Sequence, residues 1–388
     1  TALRNLADTP ESRTTRLAAA TKADALAKSF NAIHEDAQAK RVEADAGIGR
    51  MVERVNGALS KIERLNETIQ VAVATGRDAT GMMDARDREI EIVNDAVPVR
   101  VRQREGGAVE LRTGSGMLLV DRAALQLEFA ASPSFDQSVR YDHPAAPDEA
   151  GLSGLRLVDP RGNLLTDDVA PSGPSGAFKG GGLEAAFAVR DEIVPGFMDQ
   201  LDALAADLMQ RFEGVTEDDR SSVVPPNPSI FTDAGGVYDA TALTGLAGRL
   251  ALNPAADATA FQTGIYHSPF LPQVEGPADD TVAAAWLEAF TASADFASAA
   301  DSTLPGSVGA VALVQGFQSV RATMLENAET EAAYLQGASQ SLRESELAAT
   351  AVDTDAELQR LLDIENAYAA NARVLQALDE MMRTITSI

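Results

Sequence analysis

The three histidines of this 388-residue sequence have the widest chemical range among its side chains, because imidazole can act as a base or bind a metal. They are His34, His143 and His267, and they lie in three distant parts of the chain. A zinc site needs ligands at helical or turn spacing, and no HExxH motif brings two histidines together. We therefore expect no metal site and no catalytic histidine, and we interpret His34 as a side chain on the solvated flank of a helix.

The serine-centred and glycine-rich segments lack the context that nucleophilic or phosphate chemistry requires. The segment Gly114-Ser115-Gly116 does not have the spacing of a GxSxG elbow. The three glycines at residues 180–182 are followed by no P-loop lysine, so a tight turn is the expected role. Cysteine is absent, which removes thiol nucleophiles, disulfides and zinc–thiolate sites. The sequence predicts a protein that is not an enzyme and that binds no cofactor.

The balance of acidic and basic residues limits which classes of molecule the protein can bind. The chain carries 32 basic and 58 acidic residues, which gives a formal net charge of −26. A nucleic-acid binder needs a basic surface, and an anionic membrane repels the same sign of charge. No apolar run reaches the roughly 18 residues of a membrane span. We therefore expect neither nucleic acid nor membrane as a partner.

Apolar spacing predicts long helices in the first part of the chain. One rod is expected over residues 14–73, and near its start Leu17, Ala20, Leu26, Phe30 and Ile33 follow helical spacing. Its second half has a heptad seam with spacings of four and three, formed by Ile48, Val52, Val55, Leu59, Ile62, Asn66 and Ile69. A shorter helix is predicted over residues 81–93.

The period then changes to that of strands. Val97, Val99 and Val101 alternate with polar residues, and Gly106-Gly107 is a hairpin signal before the next alternating run. Further strands are expected at residues 125–129 and 155–158, with a turn at 159–162. Since residues 171–182 are rich in glycine, proline and serine, they indicate a boundary.

These patterns predict a mainly α fold with an inserted β domain: a long-helix bundle of coiled-coil-like rods plus a small β-rich domain. Residues 1–95 form the long-helix part of the helical core domain, and residues 96–179 form the β domain. The core domain continues over residues 180–350, with helices at 183–187, 201–212, 282–290 and from 311, and a loop-rich stretch at 214–280. Residues 351–388 are predicted to be a C-terminal amphipathic assembly helix.

That last helix has the most regular apolar spacing in the sequence. Its stripe steps by three and four through Leu361, Ile364, Tyr368, Asn371, Leu375, Leu378, Met382 and Ile385. Asn371 is the kind of polar seam residue that fixes the register of a helix pair. Because such a stripe needs a partner helix of similar length, we predict that these eight residues form an assembly interface.

Several segments, in the same order along the chain, resemble known flagellar sequences. Residues 364–375 read IENAYAANARVL and resemble the C-terminal helix of axial flagellar proteins, as does DEMM at 379–382. FAVRDEIVP at 187–195 and QLDALA at 200–205 are similar to segments of the flagellar hook-associated protein 1 family, as are FNAI at 30–33 and MDARD at 83–87. Residues 351–357 keep only the acidic pair of the family pattern, and residues 96–179 show no resemblance.

The resemblance implies a structural component of the bacterial flagellum that joins hook to filament and is required for filament assembly. It implies a ring of copies, contacts with the hook protein and the second junction protein, and a type III export chaperone. It also implies an extracellular location, reached without a cleavable signal peptide; no signal-like segment follows Thr1. Two alternatives remain: another axial flagellar protein (flagellin or the second junction protein), or a filament-displayed binding module carried by the β insert.

Overall fold

The computed structural model describes residues 1–141, 152–169, 178–212, 230–254, 280–295, 307–350, 358–366 and 368–369. The chain divides into two compact units, Thr1–Phe317 and Gln318–Ile388. The helices of the described part are α1 (Ala2–Asp8), α2 (Arg13–Ala74), α3 (Thr80–Ala96), α4 (Gly181–Ala188), α5 (Val194–Phe212), α6 (Leu246–Arg249), α7 (Asp280–Thr291) and α8 (Ala310–Thr350). The predicted class, mainly α with a small β region, is confirmed.

The predicted rod is α2, a single helix of 62 residues whose ends lie within one residue of the expected 14–73. It ends where Thr75 Oγ1 donates to the Val71 carbonyl at 2.8 Å and Gly76 adopts a left-handed φ of 68°. The next helix, α3, begins after Asp78, whose carboxylate accepts hydrogen bonds from the hydroxyl and backbone N–H of Thr80. These bonds from Thr80 lower the pKa of Asp78.

The two halves of α2 bury different kinds of residue. All seven residues of the predicted heptad seam are buried. The expectation for the first half holds only in part: Ala20 and Phe30 pack against the core, but Leu17, Leu26 and Ile33 are 46%, 37% and 42% exposed. The buried residues of that half are instead small or charged: Arg16, Ala19, Ala27, Ala37, Arg41 and Asp45. The small alanine side chains let α5 pack closely against this half of α2. The buried face of this half is therefore the alanine face, not the face that carries its largest apolar residues.

Two three-stranded antiparallel sheets follow α3. The first has the order β1 (Val99–Gln103), β2 (Val109–Thr113), β3 (Leu118–Val120); the second has β4 (Gln126–Glu128), β5 (Leu155–Val158), β6 (Leu164–Val169). The predicted hairpin is present, with Gly106 and Gly107 at φ of 75° and 80°. The predicted turn at 159–162 is also present, since the Gly162 N–H donates to the Asp159 carbonyl at 2.9 Å.

The sheets share one hydrophobic core with the rod. Val52, Val55 and Leu59 of α2 lie in the same buried cluster as Leu111 of β2 and Leu127 of β4. The described strands therefore depend on α2 for cover. The boundaries predicted at residues 95, 179 and 350 stay predictions.

Both segments predicted to be helical, 183–187 and 201–212, are helical, and they belong to one continuous helical run over residues 181–212. A π-helical segment, Val189–Ile193, joins α4 to α5. Pro195 in the first turn of α5 has no N–H to donate, and the wider π turn just before it keeps the run helical. At the start of α4, a Cβ on Gly181 would lie 2.5 Å from the Ala96 carbonyl oxygen, so this close approach requires glycine. The expected tight-turn role does not hold for all three glycines, because only Gly180 precedes the helix, and Gly181 and Gly182 are the first two residues of α4.

Two short ladders complete the described part of the fold. β7 (Phe231–Asp233) pairs with β8 (Leu250–Leu252), and β9 (Ala294–Asp295) pairs with β10 (Ser307–Val308). The first ladder and α6 lie inside the stretch predicted to be loop-rich; residues 213–229 and 255–279 of that stretch lie outside the described residues.

Two asparagines of α2 extend the sheets as if they were strand residues. Asn66 Nδ2 donates to the Val109 carbonyl at 2.8 Å, and Asn66 Oδ1 accepts the Val109 N–H at 3.1 Å. Asn56 makes the same pair of bonds with Leu127, at 2.8 and 2.9 Å. The seam position of Asn66 is therefore explained by a backbone ladder rather than by a partner helix.

We expect Asn66→Asp to lower the free energy of unfolding by about 1–3 kcal/mol, because a carboxylate cannot donate to the buried Val109 carbonyl. Urea unfolding followed by circular dichroism measures the change. Asn327→Asp, the same substitution on the exposed surface of α8, is the matched control and should stay within about 0.5 kcal/mol. Equal effects of the two substitutions would contradict the ladder role.

Candidate assembly surface and buried polar centres

Helix α8 is exposed on all sides over much of its length. Within the unit Gln318–Ile388, every side chain from residue 322 to 345 is exposed. The large apolar ones include Leu325, Tyr334, Leu335 and Leu342. With Ala328 and Ala332, the three leucines fall on one face by spacings of three, four and seven. The sequence interpretation placed a helix here but missed this apolar face.

The predicted interface residues divide into two groups. Residues 358–366 and 368–369 are helical, and there Leu361, Ile364 and Tyr368 are 61%, 65% and 78% exposed. The other five predicted residues lie outside the described residues: Asn371, Leu375, Leu378, Met382 and Ile385. The described part of the stripe is thus an uncovered apolar surface, and its role as an interface stays a prediction.

A fully buried arginine lies at the centre of the first unit. Arg190, in the π-helical segment, donates from Nη1 to Asp45 Oδ1 of α2 at 2.7 Å. Its Nε and Nη2 donate to the two carboxylate oxygens of Asp191 at 2.8 and 2.9 Å. Its guanidinium carbon lies 4.6 Å from the ring centre of Phe187. Burial by itself lowers the pKa of Arg190, but the ion pairs with Asp191 and Asp45 outweigh it and raise that pKa.

A second buried arginine fastens the loop after β4 to the rod. Arg41 Nε donates to the Arg190 carbonyl at 2.8 Å, and its Nη2 donates to the Val139 carbonyl. Its guanidinium lies over the Phe135 ring at 4.9 Å. Burial, reinforced by nearby Arg140, lowers the pKa of Arg41 to about 10. Arg41 therefore connects α2, the π-helical segment and this loop through backbone carbonyls.

The predicted solvated role of His34 is wrong, because the side chain is half-buried and belongs to a polar chain. His34 Nε2 lies 2.6 Å from Gln137 Oε1. Gln137 Nε2 donates to Asp202 Oδ2 at 2.8 Å, so its Oε1 is the acceptor that faces the imidazole. A Cβ on Gly248 would lie 2.7 Å from His34 Nδ1, so glycine lets α6 approach the ring. His143 and His267 lie outside the described residues.

Asp202 anchors α6 at the other end of this chain. Its Oδ2 also accepts the Gly245 N–H and its Oδ1 accepts the Ala247 N–H, both at 2.8 Å. Burial raises the pKa of Asp202, and the hydrogen bonds from Ala247, Gly245 and Gln137 act against that shift. The carboxylate thus satisfies two backbone donors that α6 leaves free at its first turn.

We expect Asp202→Ala to lower the free energy of unfolding by about 1–3 kcal/mol, because three buried N–H donors lose their acceptor. Thermal and urea unfolding of the purified chain measure this loss. Asp199→Ala, one turn earlier in α5, removes only a half-exposed pair with Arg140 and should cost at most about 1 kcal/mol. A larger loss at Asp199 would overturn the assignment.

Nothing in the described ranges assembles a metal centre: no group of three or more His, Asp or Glu side chains there could hold one ion. No helix of the described part is long and apolar enough to cross a membrane. Ser115 Oγ lies 2.8 Å from Thr113 Oγ1, next to the turn between β2 and β3. The buried charges found here bond to one another and to backbone groups, which is a structural arrangement.

A 62-residue helix, a core shared between rod and sheets, and an uncovered apolar face near the C-terminus define a long-helix structural protein. Residues 1–219 match the family described as "Flagellar hook-associated protein FlgK helical domain". Since this match covers more than half of the chain, the chain belongs to that family. By that description, the matched part of the chain is a helical domain of a flagellar protein.

Further similarities concern smaller parts of the chain. Residues 344–388 match "Flagellar basal body rod FlgEFG protein C-terminal". The chain is 26% identical over 136 residues to "Flagellar hook-associated protein 1" of Escherichia coli (strain K12), covering 34% of this chain and 25% of that protein. The alignment therefore spans about a quarter of the length of that relative. The structure of the flagellar hook junction protein FlgK from Burkholderia pseudomallei aligns with a TM-score of 0.44 and 22% identity, over 60% of this chain and 38% of that one.

Proposed function

We propose that this protein forms part of the junction between the hook and the filament of the flagellum and that filament assembly requires it. The observation that carries the proposal is the family match over residues 1–219. The printed names of the similar proteins, a hook-associated protein and a hook junction protein, support the same role. A 62-residue helix, fixed to the rest of its unit by the buried ion pair of Asp45 with Arg190, is consistent with a structural role.

The proposed partners follow from that role. Copies of the chain form a ring between the hook protein on one side and the second junction protein on the other. A type III export chaperone delivers the chain to an extracellular position, without a cleavable signal peptide. The apolar stripe that begins at Leu361, Ile364 and Tyr368 is the surface that other subunits cover, because its side chains are exposed within the chain itself.

Deletion of the gene tests the junction role directly. Cells without the gene should build hooks that carry no filaments, and flagellin monomers should accumulate in the medium. Electron microscopy of the cell surface and gel analysis of the medium give both readouts. Complementation with the full-length gene should restore filaments, whereas normal filaments in the deletion strain would refute the proposal.

A further inference from the structure

Two large hydrophobic cores lie side by side in the first unit. The core of the sheet half contains the α2 seam from Ile48 onward, the inner faces of the sheets, and Phe187 of α4. The core of the α5 half contains Ala27 of α2 together with Leu201 and further residues of α5. Among the described residues, no side chain belongs to both cores. Both α2 and the continuous run from α4 to α5 therefore pass from one core to the other.

Buried charged residues lie where these two helical segments pass between the cores. On α2, Arg41 and Asp45 come just before the seam that begins at Ile48. On the other segment Arg190 lies at the same level, since it donates to Asp45 and its carbonyl accepts from Arg41. We call Arg41, Asp45 and Arg190 the polar layer. Close apolar packing is interrupted at this layer, and directional bonds join the two halves there.

The run from α4 to α5 is irregular at the polar layer. The Val194 N–H donates to the Val189 carbonyl, five residues back. Because Pro195 has no N–H, the described run 181–212 supplies no donor to the Arg190 carbonyl. Arg41 Nε supplies that donor instead, at 2.8 Å. A π-helical segment of this kind is a site where helices bend, because the hydrogen-bond ladder shifts there.

Helix α2 carries two glycines at the same level, Gly47 and Gly49. Glycine in the interior of a helix lowers helix stability and makes bending easier than alanine does. A Cβ on Gly47 would lie 3.8 Å from Arg50 Nη2, and a Cβ on Gly49 would lie 3.4 Å from Ala131 Cβ. Both distances are ordinary contacts, so packing does not require glycine at either position.

The polar groups around the layer are not all bonded. In the described part of the chain, Gln38 Oε1 and Arg140 Nη1 are buried without a hydrogen-bond partner. Arg41 Nη1 lies 3.5 and 3.4 Å from the carbonyl oxygens of Asp136 and Gln137, which is longer than a usual hydrogen bond. A buried polar atom without a partner raises the free energy of the conformation that contains it. A second arrangement of these groups is therefore easier to reach than a rearrangement of either apolar core.

We propose that the polar layer, the π-helical segment and the glycines at 47 and 49 form a hinge, at which the sheet half bends relative to the α5 half. Both segments that pass between the cores are weak at this one level, and the groups between them are polar and incompletely bonded. Hinges are a few residues that absorb a change of backbone angle between two packed bodies. In the proposed junction, bending lets one copy fit two different neighbours, and this use of the hinge rests on the junction role.

Distances between spin labels on the full-length chain test the hinge, since the native sequence has no cysteine. Gln126→Cys of β4 and Ala242→Cys before α6 place one label on an exposed residue of each half. Double electron–electron resonance should give this pair a broad distance distribution. Gly47→Ala with Gly49→Ala should narrow its width by roughly two- to threefold, because alanine stiffens α2.

Gly57→Ala is the matched control, because it makes the same change in the same helix, away from the polar layer. A Cβ there would meet no described atom within 4 Å, and the width should stay unchanged. Lys22→Cys with Ala242→Cys places both labels in the α5 half and gives the width of a rigid pair. Unchanged circular dichroism shows that each variant is folded. A native distribution as narrow as that of the rigid pair, or equal widths in the two alanine variants, would overturn the hinge.

Filament assembly in the deletion strain tests the use of the hinge. The Gly47→Ala/Gly49→Ala chain should build fewer filaments than the Gly57→Ala chain. If deletion leaves bare hooks but both variants build filaments equally well, the junction does not use the hinge and the junction role stands. If filaments form without the gene, the junction role is wrong, and the spin-label distances still decide whether the first unit bends.

Discussion

Replacing Arg190 with methionine should lower the free energy of unfolding by about 3–5 kcal/mol, the largest loss we expect from any single substitution in the described core. The reason is that Asp45, whose side chain is fully buried, would lose its cation while keeping its charge. Asp191, which is partly buried, would lose a bidentate partner. Methionine fills much of the space, so the measured loss reports the charge rather than a cavity.

Guanidinium unfolding followed by circular dichroism measures the effect, and Arg88→Met is the matched control. Arg88 lies on the exposed surface of α3, so its replacement should change stability by less than about 0.5 kcal/mol. Adding Asp45→Asn to Arg190→Met should cost less than the sum of the two single losses, because both remove one interaction. Additive losses, or a loss below about 1 kcal/mol for Arg190→Met, would show that the pair does not stabilise the fold.

Much of the architecture could be predicted because periodicity reports large apolar faces. The heptad seam from Ile48 to Ile69 predicted the second half of α2. The alternation of apolar and polar residues on either side of Gly106-Gly107 predicted the first hairpin. The first half of α2 could not be predicted this way. Its buried face consists of alanines and of charged residues such as Arg41 and Asp45. A search for large apolar residues at helical spacing assigns charged residues to the solvent-exposed face.

The polar centres were missed for a related reason: their partners are distant in sequence. Arg190 meets Asp45 across 145 positions, and Asn66 meets Val109 across 43. A signal was nevertheless present, because Arg86, Arg190 and Asp202 all lie within the segments that carry the family resemblance. Each of these three residues is buried and hydrogen-bonded. The charged residues of those segments therefore form hydrogen bonds in the protein interior rather than a reactive site.

The second large effect is expected on filament assembly in cells, not on the stability of the purified protein. Ile364→Asp should leave the stability of the purified chain within about 0.5 kcal/mol, because Ile364 is 65% exposed there. The same substitution should abolish filament assembly in a strain that lacks its own copy of the gene. Burying one such side chain in an assembled seam contributes roughly 1.5–3 kcal/mol, and a carboxylate in that position must instead be desolvated without a partner.

Leu362→Asp is the matched control for this prediction. Leu362 is 56% exposed and lies in the same helical turn, but it falls outside the stripe of Leu361, Ile364 and Tyr368. Both substitutions add the same charge to the same helix, so differences in export, solubility or helix propensity cancel. Filament counts by electron microscopy and swimming in soft agar should therefore separate the two strains. If both strains swim, the stripe is not an interface. If neither strain swims, no charge is tolerated anywhere on this helical turn, and the contact does not depend on the three-and-four spacing. Only loss with Ile364→Asp beside normal filaments with Leu362→Asp matches a seam that is covered on one face by a neighbouring helix.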